Sequence, residues 1–248
     1  GALHAFRPDF YKQMGWGYGA KLSKYRLKIA ALPQGSTKEN VRFLNKQDRD
    51  AFQACYLRYF EQTHGLLEKL DNVVDSALEE SPYYKTVGVV KNDEISGYMS
   101  FFFNEDETKK TEIIIREFVY TTPEALLELL TFLRSLSDQA RLVVRPSSDD
   151  HLYHILFDSS GSSESLQQDI YVNSNTFYIY HRSNDSGVCV MYRVLDPVGL
   201  FRSLADHDFG GQTCQLKITT SDSMIPENNR SIDIHFSDGY PAVAENGK

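Results

Sequence analysis

The stretch that decides the fold runs from Thr111 to Ser137 and reads TEIIIREFVYTTPEALLELLTFLRSLS. Residues Thr111–Tyr120 predict a strand, and a helix begins directly after it. Thr122 can cap this helix, Pro123 suits its first position, and Glu124 suits the positive end of its dipole. An apolar stripe extends the helix to about Ser137 and consists of Leu126, Leu129, Leu130, Leu133 and Leu136.

Strands and helices also alternate on both sides of this stretch. Upstream, the pattern predicts a strand at Val41 and helices over about Asp48–Glu61 and Leu66–Leu78. It then predicts strands near Tyr83–Val90 and Ile95–Phe103, joined by a hairpin turn at Lys91-Asn92-Asp93-Glu94. Downstream, it predicts a strand over Arg141–Val144, a helix up to Phe157, and strands near Gln168–Val172 and Thr176–Tyr180. This order favours a mixed α/β (α+β) fold, in which helices flank a mixed sheet.

Two shorter stretches of different pattern lie before and after this central part. In the first, His4–Met14 predict a short helix following Pro8, which ends at Gly15-Trp16-Gly17-Tyr18-Gly19; an alternating strand over Ala20–Ala30 and a linker at Leu32–Thr37 follow. The second opens near Gly187 and predicts a strand over Cys189–Val194, a helix after Asp196-Pro197, and strands over Gln215–Thr219 and Ser231–Phe236.

Composition argues against several classes of protein. The 248 residues include 26 basic and 34 acidic ones, a net charge of −8, without a dense block of lysine or arginine. Nonspecific binding to nucleic acid is therefore not expected. No uncharged apolar run approaches the ~18–20 residues that span a bilayer. Three scattered cysteines without a CxxC pair argue against a disulfide framework and a zinc ribbon, and they favour a cytoplasmic location.

Metal binding is not predicted either. His151 and His154 lie three residues apart and would face the same way on a helix. Zinc needs at least a third ligand, and the neighbouring sequence does not supply one at suitable spacing. A solvated helix face is the preferred interpretation.

Two segments could be taken for phosphate-binding loops, and both have the wrong chemistry. The glycines at 15–19 follow a helix and precede a strand, which is the reverse of the order that aims backbone N–H groups at an anion. They indicate a helix end followed by a bulged strand. The turn Thr121–Ala125 has no glycine, while Pro123 removes one N–H group and Glu124 adds a negative charge. We therefore interpret this turn as scaffold.

Tyr11 lies one turn before the glycines and is the candidate catalytic residue. A phenol, with an ordinary pKa near ~10, is protonated at neutral pH and can donate its proton to a departing thiolate. From the residues alone, ordinary packing is the preferred interpretation of Tyr11, because tyrosine is abundant in this sequence, which contains 15 of them.

Several stretches resemble the Eis-like acetyltransferases, which combine a GNAT N-acetyltransferase domain, a degenerate GNAT-like domain and a sterol-carrier-like domain. Residues 6–19 (FRPDFYKQMGWGYG) with Lys24-Tyr25-Arg26 resemble the end of the first domain. Four short stretches of this chain resemble the central domain: Cys55-Tyr56, Thr63-His64-Gly65, Gly97-Tyr98 and Ile115-Arg116-Glu117-Phe118. Residues 191–196 (MYRVLD) resemble the start of the sterol-carrier-like part.

This resemblance implies direct transfer of an acetyl group from acetyl-CoA to a primary amine, such as an aminoglycoside or a protein lysine. Tyr11 falls on the family's catalytic tyrosine, the general acid for the CoA thiolate. The family's pyrophosphate-binding loop would precede Gly1, so no cofactor-binding residue and no metal ligand is assigned here. The resemblance also implies a bacterial homo-oligomer.

The same resemblance sets the expected domains. Residues 1–31 would close the first GNAT domain, 38–185 would form the degenerate GNAT-like domain, and 187–248 would start a truncated sterol-carrier-like domain. The chain would then be a fragment that is inactive alone. Two alternatives stay open: a binding or oligomer-forming module, and a central unit that serves only as a brace between its neighbours.

Overall fold

The computed structural model describes residues 1–19, 21–63, 66–105, 111–136, 141–144, 170–173, 176–179, 185–188 and 190–244. The chain divides into two units, one made of Gly1–Ala20 with Val188–Lys248 and the other of Lys21–Gly187.

The described strands and helices follow one another along both units. The strands are β1 (Ala2–His4), β2 (Gly17–Tyr18), β3 (Lys21–Lys28), β4 (Val41–Phe43), β5 (Tyr84–Lys91), β6 (Glu94–Glu105), β7 (Thr111–Tyr120), β8 (Arg141–Val144), β9 (Ile170–Asn173), β10 (Thr176–Ile179), β11 (Asp185–Val188), β12 (Val190–Tyr192), β13 (Cys214–Thr219), β14 (Ser231–Ser237) and β15 (Tyr240–Val243). The α-helices are α1 (Pro8–Gln13), α2 (Arg49–Glu61), α3 (Asp71–Leu78), α4 (Pro123–Arg134) and α5 (Pro197–Ser203).

A seven-stranded sheet with the order β11-β3-β8-β7-β6-β5-β4 organises the larger unit. The pairs from β4 to β7 and the pair β3–β8 are antiparallel, whereas β7 and β8 run parallel, with Glu112 opposite Arg141. β9 and β10 form a separate antiparallel pair. The sheet is therefore mixed, as the sequence pattern predicts.

Helices bury both faces of this sheet. The apolar stripe of α4 packs into a core that contains Tyr25, Phe101 and Leu129. α2 and α3 pack into a second core around Phe52, Cys55, Tyr98 and Val74. β7 and α4 thus contribute to the core on one face of the sheet, and α2 and α3 contribute to the core on the other face.

The turn between β5 and β6 also follows the sequence. Asn92 and Asp93 both have positive φ, of 52° and 61°, which is the backbone of a tight two-residue hairpin. Asparagine and aspartate tolerate this left-handed conformation better than most residues do.

The smaller unit contains two three-stranded sheets, with the orders β1-β12-β2 and β13-β14-β15. In the first, Met191 of β12 is buried and lies opposite Leu3 and Tyr18. In the second, Ile232 and Ile234 are buried. Asp196 caps α5 by accepting the Val198 N–H at 3.1 Å, as the Asp196-Pro197 pair predicts.

The short helix predicted after Pro8 is confirmed by α1, but the strand that precedes it is not predicted. Ala2–His4 form this strand, β1, which pairs with β12 from Ala2–Tyr192 to His4–Val190. Arg7 has an extended backbone, as the residue before a proline prefers, so the helix begins only at Pro8. β1 depends on this long-range pairing, which the local sequence pattern does not show.

The predicted helix over Leu66–Leu78 is also shorter than expected, since α3 starts at Asp71. Leu67 and Leu70 are exposed, and the Tyr56 hydroxyl donates to the Leu67 carbonyl oxygen at 2.5 Å. That contact holds the segment before α3 in a non-helical path.

The segment Leu32–Thr37, predicted as a linker, packs against the larger unit. Leu32 is fully buried in the core beneath α4, and the Gly35 N–H donates to Thr131 Oγ1 at 2.7 Å. The division between the two units falls between Ala20 and Lys21, so β3 belongs to the seven-stranded sheet. The domain bounds implied by the family resemblance stay a prediction.

Candidate active site

Tyr11 lies on α1 within a group of aromatic side chains. Its ring contacts Phe6 and Phe10 edge to face, with ring centroids 5.6 and 5.3 Å apart, and Trp16 at 6.4 Å. Phe6 is 75% exposed and Phe10 48% exposed, and Tyr11 itself is half-buried. Its hydroxyl makes no hydrogen bond to any residue that the structure describes. The phenol is therefore oriented by neighbouring rings, and no described residue accepts a hydrogen bond from it.

The glycine run after Tyr11 is a helix end followed by a strand. Gly15 has φ of +77°, the left-handed conformation that commonly ends helices. A side chain on Gly19 would collide with the Tyr192 ring and lie 2.8 Å from the Val190 carbonyl oxygen. The N–H groups of Gly15 and Gly19 already donate to Lys12 and Val190 carbonyl oxygens. This segment therefore lacks the free N–H groups of a phosphate loop.

A cavity of about 500 Å³ lies beside the carboxyl end of α1, within the smaller unit. At its wall, Arg193 Nη2 donates to both carboxylate oxygens of Asp222, at 2.6 and 2.7 Å. Arg193 Nη1 donates to the Met14 carbonyl oxygen, at the end of α1. The hydrogen bonds from Arg193 hold the pKa of the Asp222 carboxyl well below its usual range, and the N–H groups of Met224 and Ile225 and the Asn228 side chain lower it further.

Sequence analysis missed this ion pair. Arg193 entered only as part of a resemblance, and Asp222 not at all, because 29 residues separate them. One feature of the sequence could have indicated the pair: Arg193 is the single charged residue of the apolar run 190–195 (VMYRVL). A charged side chain that is buried in an apolar segment needs a partner of opposite charge.

The start of α4 fits a pyrophosphate poorly. Thr122 Oγ1 accepts the Ala125 N–H at 3.1 Å, and the Thr122 carbonyl oxygen accepts the Leu126 N–H at 3.2 Å. Pro123 has no N–H group to offer. A Cβ on Gly97 would lie 3.1 Å from Ala125, so the strand packs closely against this helix end. These contacts agree with the interpretation of Thr121–Ala125 as scaffold.

A second cavity, of about 690 Å³, lies within the larger unit. The Lys69 ammonium lies 2.8 Å from the Glu117 carboxylate and 4.7 Å from the centre of the Tyr56 ring. The side chains of this ion pair are 12% and 23% exposed. The two opposite charges offset each other, so Lys69 is not a free cation for a phosphate.

Near this pair, the Tyr98 ring is fully buried in the core beside Phe52, with centroids 4.2 Å apart. Its hydroxyl has no hydrogen-bond partner in the part of the chain that the structure describes. Burial and then the charge of Glu117 raise the pKa of Tyr98 well above its ordinary value. The Glu117 carboxylate is thus the charged group that acts most strongly on this hydroxyl.

Cysteine and histidine chemistry adds no further site among the described residues. They hold no group of three or more metal-ligating side chains. Burial raises the pKa of the Cys55 thiol to about 12, which makes it unreactive, whereas Cys214 is exposed. His64, His151 and His154 lie outside the described residues. None of the described helices has the length and apolar character needed to cross a bilayer.

Part of the larger unit is similar in sequence to a known protein family. Residues 65–172 match the model of a family described as an acetyltransferase (GNAT) domain. No curated protein matches the sequence.

Solved structures similar to the chain include a GCN5-related N-acetyltransferase from Anabaena variabilis, with a TM-score of 0.77 and 15% identity over 100% of this chain and 58% of that one. A GCN5-related N-acetyltransferase from Kribbella flavida has a TM-score of 0.69 and 16% identity over 100% of this chain and 56% of that one. Eis1 from Mycobacterium abscessus has a TM-score of 0.62 and 16% identity over 99% of this chain and 58% of that one.

The chain thus spans less than three fifths of the length of these structures. The comparisons confirm the predicted fold, a mixed α/β, GNAT-like sheet flanked by helices. The predicted resemblance to acetyltransferases is confirmed for a GNAT domain. The tandem arrangement, the sterol-carrier-like part and the fragment status stay predictions.

Proposed function

We propose that this chain is part of an acetyl-CoA-dependent N-acetyltransferase that transfers an acetyl group directly to a primary amine, with Tyr11 as the general acid. The observation that carries the proposal is the Tyr11 phenol, which three aromatic rings orient and no described residue engages by hydrogen bonding. The GNAT domain matched at residues 65–172 supports the reaction class.

In the proposed reaction, the amine nitrogen and the thioester are bound together, and the nitrogen attacks the acetyl carbonyl carbon. A C–N bond forms, the C–S bond breaks, and the sulfur leaves with the electron pair of that bond. The Tyr11 hydroxyl gives its proton to the sulfur, and the amine gives up a proton to solvent, which reprotonates the phenolate. A half-buried phenol suits this role, because it can reach a bound thioester and still regain a proton from water.

The coenzyme would bind outside the larger unit. At the β7–α4 turn, Thr122 and its backbone already use the N–H groups of Ala125 and Leu126, and Pro123 has none. The proposal assigns Tyr11 to this chain and the acetyl-CoA site mainly to sequence beyond it. The acceptor is a primary amine, on an aminoglycoside or a lysine side chain, in a soluble cytoplasmic protein.

The test is CoA release by the full-length protein in the presence of aminoglycosides and other primary amines. We expect Tyr11→Phe to lower kcat by about 10²-fold, the usual contribution of an acid–base group. Tyr18→Phe is the matched control, since Tyr18 is an exposed tyrosine of the neighbouring strand β2, and it should retain turnover. Normal turnover of Tyr11→Phe would remove Tyr11 from the mechanism.

The start of α4, where the Ala125 and Leu126 N–H groups already donate to Thr122, favours a second role for the larger unit. Since this helix end has few N–H groups left for an anion, the unit would act as a brace or an oligomer-forming module and not as a second transferase. Light scattering on the full-length protein tests assembly: a homo-oligomer is expected, and a monomer would count against it. Binding of acyl-CoA by the isolated chain would count against a brace without a coenzyme site.

A further inference from the structure

Helix α1 has little to hold it in place except contacts at its ends. It is six residues long, and none of its residues is buried. Helices of this length are unstable in isolation, and packing usually stabilises them. The position of Tyr11 therefore depends on what fixes the chain just before and just after the helix.

Arg193 fixes the carboxyl end. Its Nη1 donates to the Met14 carbonyl oxygen, one of the carbonyl groups that a helix end leaves without an intrahelical partner. The guanidinium also lies against the backbone of Gly15, where a Cβ would be 3.6 Å from Arg193 Cζ. A positive charge at a helix carboxyl end is favourable as well.

Asp222 holds Arg193 in this position. Besides the two bonds from Arg193, its carboxylate accepts the N–H groups of Met224 and Ile225 at 2.9 and 3.0 Å and Asn228 Nδ2 at 3.2 Å. The Arg193 side chain is 8% exposed and that of Asp222 14% exposed. A carboxylate that accepts five hydrogen bonds from four donor groups is rigidly oriented, and the guanidinium that it pairs with is oriented with it.

The distance from Met14 to Tyr11 is one helical turn. The N–H groups of Met14 and Trp16 both donate to the Tyr11 carbonyl oxygen, at 3.0 and 3.1 Å. Met14, whose carbonyl oxygen Arg193 holds, is therefore linked through its own N–H group to the backbone of Tyr11. A shift at the helix end changes the position of the phenol with no intervening side chain to absorb it.

We infer that the Arg193–Asp222 pair is a positioning device that sets the place of the Tyr11 hydroxyl through the carboxyl end of α1. Its catalytic consequence depends on the proposed function, in which Tyr11 is the proton donor. Its structural part does not, and the two can be tested separately.

The structural test uses Trp16, the single tryptophan of the chain, whose ring lies 6.4 Å from that of Tyr11. We expect Arg193→Gln and Asp222→Asn to shift the Trp16 emission maximum and to increase its quenching by acrylamide. Arg230→Gln is the control, because among the described residues the Arg230 side chain makes just one exposed contact, of 3.5 Å with Asp196, and the change should leave both signals unchanged. Far-UV circular dichroism shows whether each variant is folded.

The catalytic test uses the full-length protein and a double-mutant cycle. We expect Arg193→Gln to lower kcat about 10-fold with little change in the KM for the amine, and Arg193→Lys to restore part of that loss. In a Tyr11→Phe background, Arg193→Gln should have no further effect on kcat, since the group it positions is gone.

Three outcomes decide the inference. An unchanged Trp16 signal in both folded variants overturns it, whatever the kinetics show. Effects of Arg193→Gln that multiply with those of Tyr11→Phe also overturn it, since Arg193 would then act independently. If Tyr11→Phe keeps normal turnover, the proposed function fails, and a Trp16 shift still supports Arg193 as the residue that positions α1.

Discussion

Replacing Tyr98 by phenylalanine should leave the free energy of unfolding unchanged or raise it by up to about 2 kcal/mol. The Tyr98 side chain is fully buried, and its hydroxyl has no hydrogen-bond partner among the described residues. A buried polar group without a partner costs about 1–3 kcal/mol, so its removal relieves a penalty. The ring contact with Phe52 survives in the variant.

Tyr56→Phe is the matched variant, from the same core and with the opposite expectation. Its hydroxyl donates to the Leu67 carbonyl oxygen at 2.5 Å. Its loss should lower the free energy of unfolding by about 0.5–1.5 kcal/mol, the net worth of an ordinary hydrogen bond. Because Leu67 is exposed, water can then take the place of the hydroxyl at that carbonyl.

The assay is urea denaturation of both variants and the parent at pH 7, followed by far-UV circular dichroism. Each kcal/mol corresponds to about 2–4 °C in Tm for a domain of this size, so thermal unfolding gives an independent measure. A loss of 1 kcal/mol or more in Tyr98→Phe would refute the reasoning, because it would show that the buried hydroxyl is satisfied.

The remaining predictions concern cysteine reactivity, alkaline pH and close packing. Iodoacetamide at pH 8 should label Cys214 and leave Cys55 unmodified in the folded chain, since Cys55 is buried with its pKa raised to about 12; equal labelling in a peptide map would contradict this. Burial also raises the pKa of Tyr56 to about 12. The folded state therefore keeps the protons of Cys55 and Tyr56 at a pH where the unfolded chain releases them, above about pH 9–10. The free energy of unfolding should be constant below that range and fall toward pH 12, by up to about 1.4 kcal/mol per pH unit for each of these two groups. Urea midpoints from pH 8 to 11 measure the slope, which should be smaller in Cys55→Ala. Gly97→Ala should cost about 1–3 kcal/mol, because its Cβ would lie 3.0 Å from the Val119 carbonyl oxygen and 3.1 Å from Ala125. Gly187→Ala, whose Cβ would meet no atom of a described residue within 4 Å, should have little effect, and equal costs would contradict the packing argument.

The sequence predicts the elements whose pattern is local. The strand and helix over Thr111–Arg134 follow from a cap, a proline and a leucine stripe, and the structure reproduces them. The β5–β6 hairpin follows from Asn92 and Asp93. In each case the interactions that decide the structure lie within a few residues of one another.

The elements that sequence analysis missed depend on contacts between distant residues. β1 exists because Ala2–His4 pair with Val190–Tyr192, about 190 residues away, and the pattern of a short helix carries no sign of that partner. Likewise, Leu67 and Leu70 have the spacing of a helix, yet the Tyr56 hydroxyl holds them in another path. Tyr11 could be assigned from the sequence, because it falls in a motif that resembles a known family. The Arg193–Asp222 ion pair beside its helix could be identified only from the folded structure.

Counting backbone N–H groups explains why neither obvious anion motif forms a phosphate site. The glycines at 15–19 look permissive, yet Gly15, Trp16 and Gly19 all donate to carbonyl oxygens of their own unit. The start of α4 has the favourable end of a helix dipole, yet its cap uses the Ala125 N–H and Pro123 has none to give. Glycine content and helix polarity therefore indicate an anion site only where N–H groups remain free. Under the proposed function, this is the physical reason for a divided reaction centre, in which the described residues contribute the proton donor and its positioning while the coenzyme is held elsewhere.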